Sequence, residues 1–178
     1  VPTGMNDPTQ PTWGSWAGRY GVRDEKTPTY YWANAADTWN GTTHRENTLA
    51  RWAGHLQADF KARMDWCIRD KDDANHPPEP KLAQPPRLKV KSGEKITLDA
   101  AASSDPEGDR LSFQWIHYPE PGTNRGADTP LAGAGTPKVS FVAPRVTQPE
   151  TLHLLLILTD AGDPPLTRYR RVVLTVQP

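Results

Sequence analysis

The chain has one cysteine, Cys67, among its 178 residues. That excludes an intrachain disulfide framework and any cysteine-rich zinc site. It has no excess of either charge, since 21 Lys+Arg face 21 Asp+Glu. Balanced charge speaks against a nucleic-acid grip, which needs many uncompensated basic side chains, and against a polybasic membrane anchor. Long apolar runs are missing too. The longest is the short stretch 154–158, far under the roughly 18 to 20 residues that cross a bilayer. There is no glycine-rich phosphate loop and no nucleophile elbow. The histidines (His44, His55, His76, His117, His153) show no metal-ligand spacing. His117 and His153 fall inside expected strands and read as ordinary strand residues.

Against these absences stand 19 Pro and 7 Trp. Their distribution divides the chain. All the tryptophans except Trp115 precede residue 77, and Pro77, Pro78, Pro80, Pro85 and Pro86 crowd into one short stretch. That stretch has no apolar period, so 77–86 reads as a Pro-rich linker between residues 1–76 and 87–178.

Residues 1–40 are rich in turns and aromatics, with neither a period of 2 nor one of 3.6. Such a segment cannot bury its own tryptophans. It must pack on something else or line a binding surface. A helix follows. Leu49, Trp52, Leu56, Phe60, Met64 and Cys67/Ile68 recur at spacings of three and four and form one apolar stripe. Asn47 or Thr48 would cap it, Thr43 with Glu46 would form a capping box on an earlier start, and the helix should end at 72–75, before Pro77. Cys67 belongs to the stripe and is expected to be a buried small hydrophobe. A single amphipathic helix with an aromatic loop is not a domain. Because the second half reads as self-contained, the stripe lacks a partner, and 1–76 is expected to be the tail of a larger domain. The start at Val1, without an initiator Met or a signal-peptide pattern, agrees with that expectation.

The second half alternates as strands do. Strands are expected at 95–100, 111–118, 138–143, 152–159 and 168–176, with weaker ones at 88–90 and 127–131. Ile96 and Leu98 share a face, as do Leu111, Phe113 and Trp115, then Val139 and Phe141, then Val172, Leu174 and Val176. Tyr169, Arg171 and Val173 take the opposite face of the last strand. Turns fall at Ser92-Gly93, 105–109, 120–122 and 162–165. About seven short strands with an inward Trp in the third predict an immunoglobulin-like β-sandwich held by packing alone. The whole chain is thus expected to be α+β.

Several residues have the chemistry of a site. Trp13, Trp16 and Tyr20 could stack on sugar rings, and Arg19 could hydrogen-bond sugar hydroxyls. The competing use is packing, which is also the expected use of Trp32, Trp39, Trp52 and Trp66. Asp105, Glu107 and Asp109 form an acidic turn, with Asp99 and Asp160 expected nearby. Calcium takes clustered oxygens of this kind, so Asp105 and Asp109 are candidate ligands, although a plain Asp-Pro/Gly turn needs no metal.

Several stretches carry a resemblance. They are Gly4-Met-Asn-Asp-Pro8, Trp13-Gly-Ser-Trp-Ala-Gly-Arg-Tyr20, Asp59-Phe-Lys-Ala-Arg-Met-Asp-Trp66, Ala74-Asn-His76, Leu98-Asp-Ala-Ala-Ala-Ser-Ser-Asp-Pro-Glu-Gly-Asp109, Phe113-Gln-Trp-Ile-His-Tyr-Pro-Glu-Pro-Gly122 and Asp163-Pro-Pro-Leu-Thr-Arg-Tyr-Arg-Arg-Val-Val172. The chain resembles the C-terminal region of bacterial cellulose-binding proteins that join a nucleoside-hydrolase-like domain to an immunoglobulin-like domain. The resemblance implies that 1–76 ends an α/β domain and that 87–178 is the appended sandwich. It implies a secreted or periplasmic parent and a polysaccharide or oligosaccharide partner. It also implies contact with the N-terminal remainder of the same protein.

Nucleoside hydrolases carry a His-Asp-Pro in which Asp binds calcium and His donates a proton. Here Asn6-Asp7-Pro8 keeps the Asp and replaces the His with Asn, which cannot act as an acid at neutral pH. Asn6 and Asp7 are therefore the catalytic-position candidates, and Asp7 a candidate calcium ligand. The alternative is a simple Asn-Asp-Pro turn. Three functions remain open: carbohydrate binding, a glycoside or N-glycoside hydrolase completed by Asp7, and a structural or interaction sandwich. The chain alone is not read as an enzyme.

Overall fold

The computed structural model describes residues 3–22, 32–124, 126 and 129–178, and for Val22 and Trp32 the main chain alone. The role expected of the Trp32 side chain therefore lies outside the description. The first half contains two small antiparallel pairs: β1 (Tyr20–Val22) with β2 (Trp32–Asn34), and β3 (Asp37–Trp39) with β4 (Thr42–His44). Next come α1 (Asn47–Ala50) and α2 (Ala53–Asp65). The second half adds β5 (Arg87–Lys91), β6 (Lys95–Asp99), β7 (Ser112–His117), β8 (Lys138–Val142), β9 (Glu150–Thr159) and β10 (Thr167–Gln177). The architecture is mixed α+β and mostly sheet.

The four-stranded sheet has the order β5-β10-β9-β7, with β5 parallel to β10 and the other pairs antiparallel. The β6-β8 ribbon packs across it. Between them lie Ile96, Leu98, Val139 and Phe141 from the ribbon, and Trp115, the even-numbered leucines 152–158, Val172, Leu174 and Val176 from the sheet. Each fully buried leucine contributes about 1.5–3 kcal/mol. The expected inward faces of the second half are thus the observed ones. The strand expected at 127–131 falls partly on residues 127 and 128, outside the described residues. Just beyond it, Ala132 bridges Ser140 in isolation.

The second half is not self-contained. Residues Leu155, Ile157 and Tyr169 point away from the sandwich core, and side chains of the first half cover them. Met5, Trp52 and Tyr118 complete this second cluster, with Trp16 and Ile116 packed against it. Covering both faces explains why β9 reads as an almost unbroken apolar run.

The helix departs from expectation in four ways. It breaks at Trp52, which lies in the turn between α1 and α2 with its indole buried. It ends at Asp65, after which Cys67 and Ile68 close with tight i→i+3 turns and Asp70 is extended. The expected caps do not form. Thr43 lies in β4 and bonds Thr38, the Glu46 amide bonds His44, and the Asn47 side chain donates to the carbonyls of Asp37 and Thr42. Finally, the helix docks through Trp52, His55, Asp59 and Ala62, while Leu49, Leu56, Phe60, Met64 and Ile68 stay exposed. Cys67 is exposed as well, contrary to its expected burial.

The Pro-rich stretch is laid along the sandwich rather than hanging free. Glu79 pairs with Ser104, the Ala83 amide donates to the Asp99 carbonyl, and the Gln84 side chain accepts from the Asp99 amide.

Candidate functional site

The contact between the first half and the outer sheet face is built on buried polar groups. Asp37 of β3 is fully buried and gathers Arg19 at 2.7 Å, Arg51 at 3.5 Å and the Tyr118 hydroxyl at 2.6 Å. A buried carboxylate is tolerable only with such partners. Burial, with Asp37 adding to it, raises the Tyr118 pKa above the ordinary phenol value, so this hydroxyl remains a donor. On α2, Asp59 is clamped between Arg63 at 2.7 Å and Arg168 of β10 at 3.0 Å. This pair explains why the polar side of the helix is the buried one.

Two histidines lie in the contact between the halves. The Tyr169 hydroxyl accepts from the Trp16 indole N–H at 3.0 Å and shares a second hydrogen bond with His55 Nδ1 at 2.5 Å. Burial lowers the His55 pKa. Arg171 donates to the carbonyls of Met5 and Trp13 and to His153 Nδ1. Burial first, then the Arg171 charge, pushes His153 down to about 3, while burial brings Arg171 itself down to about 10.

The sugar-stacking candidates lie among these contacts. Trp13 stands edge-on to His153 at 5.0 Å between centroids, with the guanidiniums of Arg87 and Arg171 over its ring. Trp16 is tied to Tyr169. Arg19 is committed to Asp37 and the Ala36 carbonyl. Trp13 and Trp16 serve the docking of the two halves, whereas Arg19 braces Asp37 and lines a recess with Thr38, Pro119 and Glu120. Tyr20 remains 36% exposed. It lines a recess of about 200 Å³ together with Asn6, Asp7, Gln10, Ser15 and Gly18. The structure thus brings Asn6, Asp7 and Tyr20 together, places Trp13 and Trp16 against the sheet, and sets Arg19 at a separate recess.

Both carboxylate oxygens of Asp7 have partners. Its Oδ1 accepts from the Thr9 amide and hydroxyl, and its Oδ2 lies 3.3 Å from Arg87. The Thr9 hydrogen bonds hold its carboxyl below the usual range. A guanidinium stands where a cation would bind, so the residues present do not fit calcium here. At the acidic turn, Asp105 Oδ1 accepts the amides of Glu107 and Asp109, which is the geometry of a side-chain-capped turn. Among the described residues no group of three or more His, Cys, Asp or Glu side chains is placed to hold a metal, and no helix is long and apolar enough to cross a membrane.

A β-sandwich module docked through one sheet face onto an aromatic-rich α+β segment is the class of protein that this fold defines. Within it, residues 95–176 match the family described as cellulose-binding protein Sde0182, C-terminal domain, and the sandwich half of the chain belongs to that family. Over 98% of its length the chain is similar, at 31% identity and a TM-score of 0.80, to a solved nucleoside hydrolase-related hypothetical protein from Saccharophagus degradans. That protein is described as associated with carbohydrate metabolism, and the chain spans 45% of it. A weaker likeness joins the chain to the PKD domain of the KIAA 1837 protein, at 19% identity and a TM-score of 0.41, covering 56% of this chain and 87% of that one. No curated protein sequence matches the chain.

Proposed function

We propose that the chain serves carbohydrate binding as the C-terminal part of a larger, secreted, polysaccharide-binding protein. The observation that carries this reading is the convergence of Asn6, Asp7 and Tyr20 on one recess. A half-open phenol ring suits the C–H face of a sugar, and the Asn6 amide with the Asp7 carboxylate suits its hydroxyls. The family description of the sandwich and the carbohydrate association of the Saccharophagus relative support it.

The same reading makes residues 1–76 the end of a nucleoside-hydrolase-like α/β domain. The exposed stripe of Leu49, Leu56, Phe60, Met64 and Ile68 is then the surface on which the rest of that domain packs. The relative supports this, because more than half of its chain lies outside the similarity.

The test is binding to cellulose and to a panel of soluble oligosaccharides. Tyr20→Ala and Asn6→Ala should weaken binding about tenfold, the worth of 1.4 kcal/mol, while Phe60→Ser on the helix leaves it unchanged. Binding to no glycan in the panel, or binding indifferent to Tyr20→Ala, would overturn the proposal.

A further inference from the structure

Three buried oxygens near the junction of the two halves have no hydrogen-bond partner: Asn75 Oδ1, Asp105 Oδ2 and Asp160 Oδ2. They come from three distant stretches: the end of the first half, the turn after β6 and the turn after β9. Asp160 is only 4% exposed. An unpaired buried polar atom costs about 1–3 kcal/mol, and more when charged.

The hydrogen bonds that surround these atoms fix which oxygen is free. The Asn75 amide nitrogen donates to Asp160 Oδ1 at 3.2 Å and to the Pro164 carbonyl at 2.8 Å. Two acceptors on that atom identify it as the nitrogen and leave Oδ1 as the free acceptor. Asp160 Oδ1 also takes the amides of Gly162 and Leu166. Asp105 Oδ1 takes the amides of Glu107 and Asp109. In each carboxylate, then, one oxygen holds its own turn and the other is unspent. Gly162 lies so close to Asn75 that a Cβ there would overlap the amide. The His76 amide, next to Asn75, donates to Glu107 Oε2 at 3.2 Å, so the end of the first half lies against the turn that carries Asp105.

We propose that Asn75, Asp105 and Asp160 bind a calcium ion that ties the end of the first half to two turns of the sandwich. Calcium takes carboxylate and amide carbonyl oxygens, and water completes its shell. Two carboxylates and one neutral amide make a low-charge ligand set, which places the site in the weak class, on the order of 10⁻⁴–10⁻³ M. Asp160 and Asn75 replace Asp109 as the partners of Asp105, because Asp109 contributes only its main-chain amide to that carboxylate.

Terbium is a direct probe of the whole chain. The Trp66 indole donates to the Asn75 carbonyl at 2.8 Å, so a lanthanide in this site sits beside an antenna. Exciting tryptophan should give saturable terbium emission that calcium displaces, and millimolar calcium should raise the melting temperature. Asp105→Asn and Asn75→Ala should each weaken calcium on the order of tenfold, whereas Asp109→Asn should not. Asp160→Asn, like Asp105→Asn, keeps one acceptor oxygen for its turn and should weaken calcium as well. Trp66→Phe should dim the emission and leave the calcium-induced rise in melting temperature. Absence of both saturable emission and a melting shift overturns the site. So does loss on Asp109→Asn with no effect of Asp105→Asn.

Discussion

The Arg171 guanidinium donates to His153 Nδ1 across 3.1 Å, which requires a neutral imidazole. The same guanidinium holds the carbonyls of Met5 and Trp13, so His153 stands at the centre of the contact between the halves. Its pKa is held near 3 in the fold, against 6.5 as the ordinary value. The unfolded chain therefore takes up this proton first. Its contribution is fully present above pH 6.5 and is lost as the pH falls toward 3, at about 1.4 kcal/mol per unit for one proton. Buried His55, also lowered, acts in the same direction. Melting temperatures measured from pH 7 to pH 4 should fall steadily. His153→Asn, which keeps an acceptor for Arg171 but cannot titrate, should flatten the slope.

Tyr118→Phe removes one hydrogen bond from a carboxylate that keeps two arginines. Urea unfolding should show a loss of about 1–3 kcal/mol. Asp37→Ala leaves Arg19 and Arg51 without their carboxylate in a buried setting, and its loss should be larger, about 3–5 kcal/mol. Equal losses would mean that the hydroxyl, rather than the ion cluster, organises this corner.

The faces of α2 should respond in opposite ways. Phe60→Ser and Leu56→Gln replace exposed side chains, so in the isolated chain each should change stability by no more than about 0.5 kcal/mol. They should also reduce self-association in sedimentation. Ala62→Leu changes a position that is 1% exposed, and overpacking it should cost about 1–3 kcal/mol. If the stripe variants unfolded the chain and Ala62→Leu did not, the assignment of the docking face would be reversed.

The sandwich was legible in the sequence because its burial is periodic. Val172, Leu174 and Val176 alternate cleanly, and the run around Leu155 carries the mark of a strand covered on both faces. The helix showed its amphipathicity but not its orientation. Its buried face includes His55 and Asp59, and their value comes from Tyr169 and Arg168 more than a hundred positions away. Three-residue strands such as β1 are too short for any period to appear. The recess was half legible, since Asn6, Asp7 and Tyr20 are near neighbours in sequence. The packing roles of Trp13 and Trp16 depend on distant Arg171 and Tyr169 and left no local trace.

Two glycines separate backbone strain from docking. Gly41 has a φ of +75°, and a Cβ added there would meet nothing within 4 Å, so Gly41→Ala should cost only the left-handed penalty of about 1–2 kcal/mol. Gly4 has a similar φ of +87°, but an added Cβ would land on the Tyr169 carbonyl and 3.0 Å from an Arg170 nitrogen. The neighbouring Thr3 carbonyl accepts the Tyr169 amide, and Met5 is buried against the same sheet face. Gly4→Ala must therefore push the N-terminal segment off β10 as well as bear the strain. Chemical denaturation should show it clearly more destabilising than Gly41→Ala, with the near-UV signal of the docked tryptophans reduced before global unfolding. If the two losses were equal, the segment would be free to shift, and its contact with β10 would contribute little to holding the halves together.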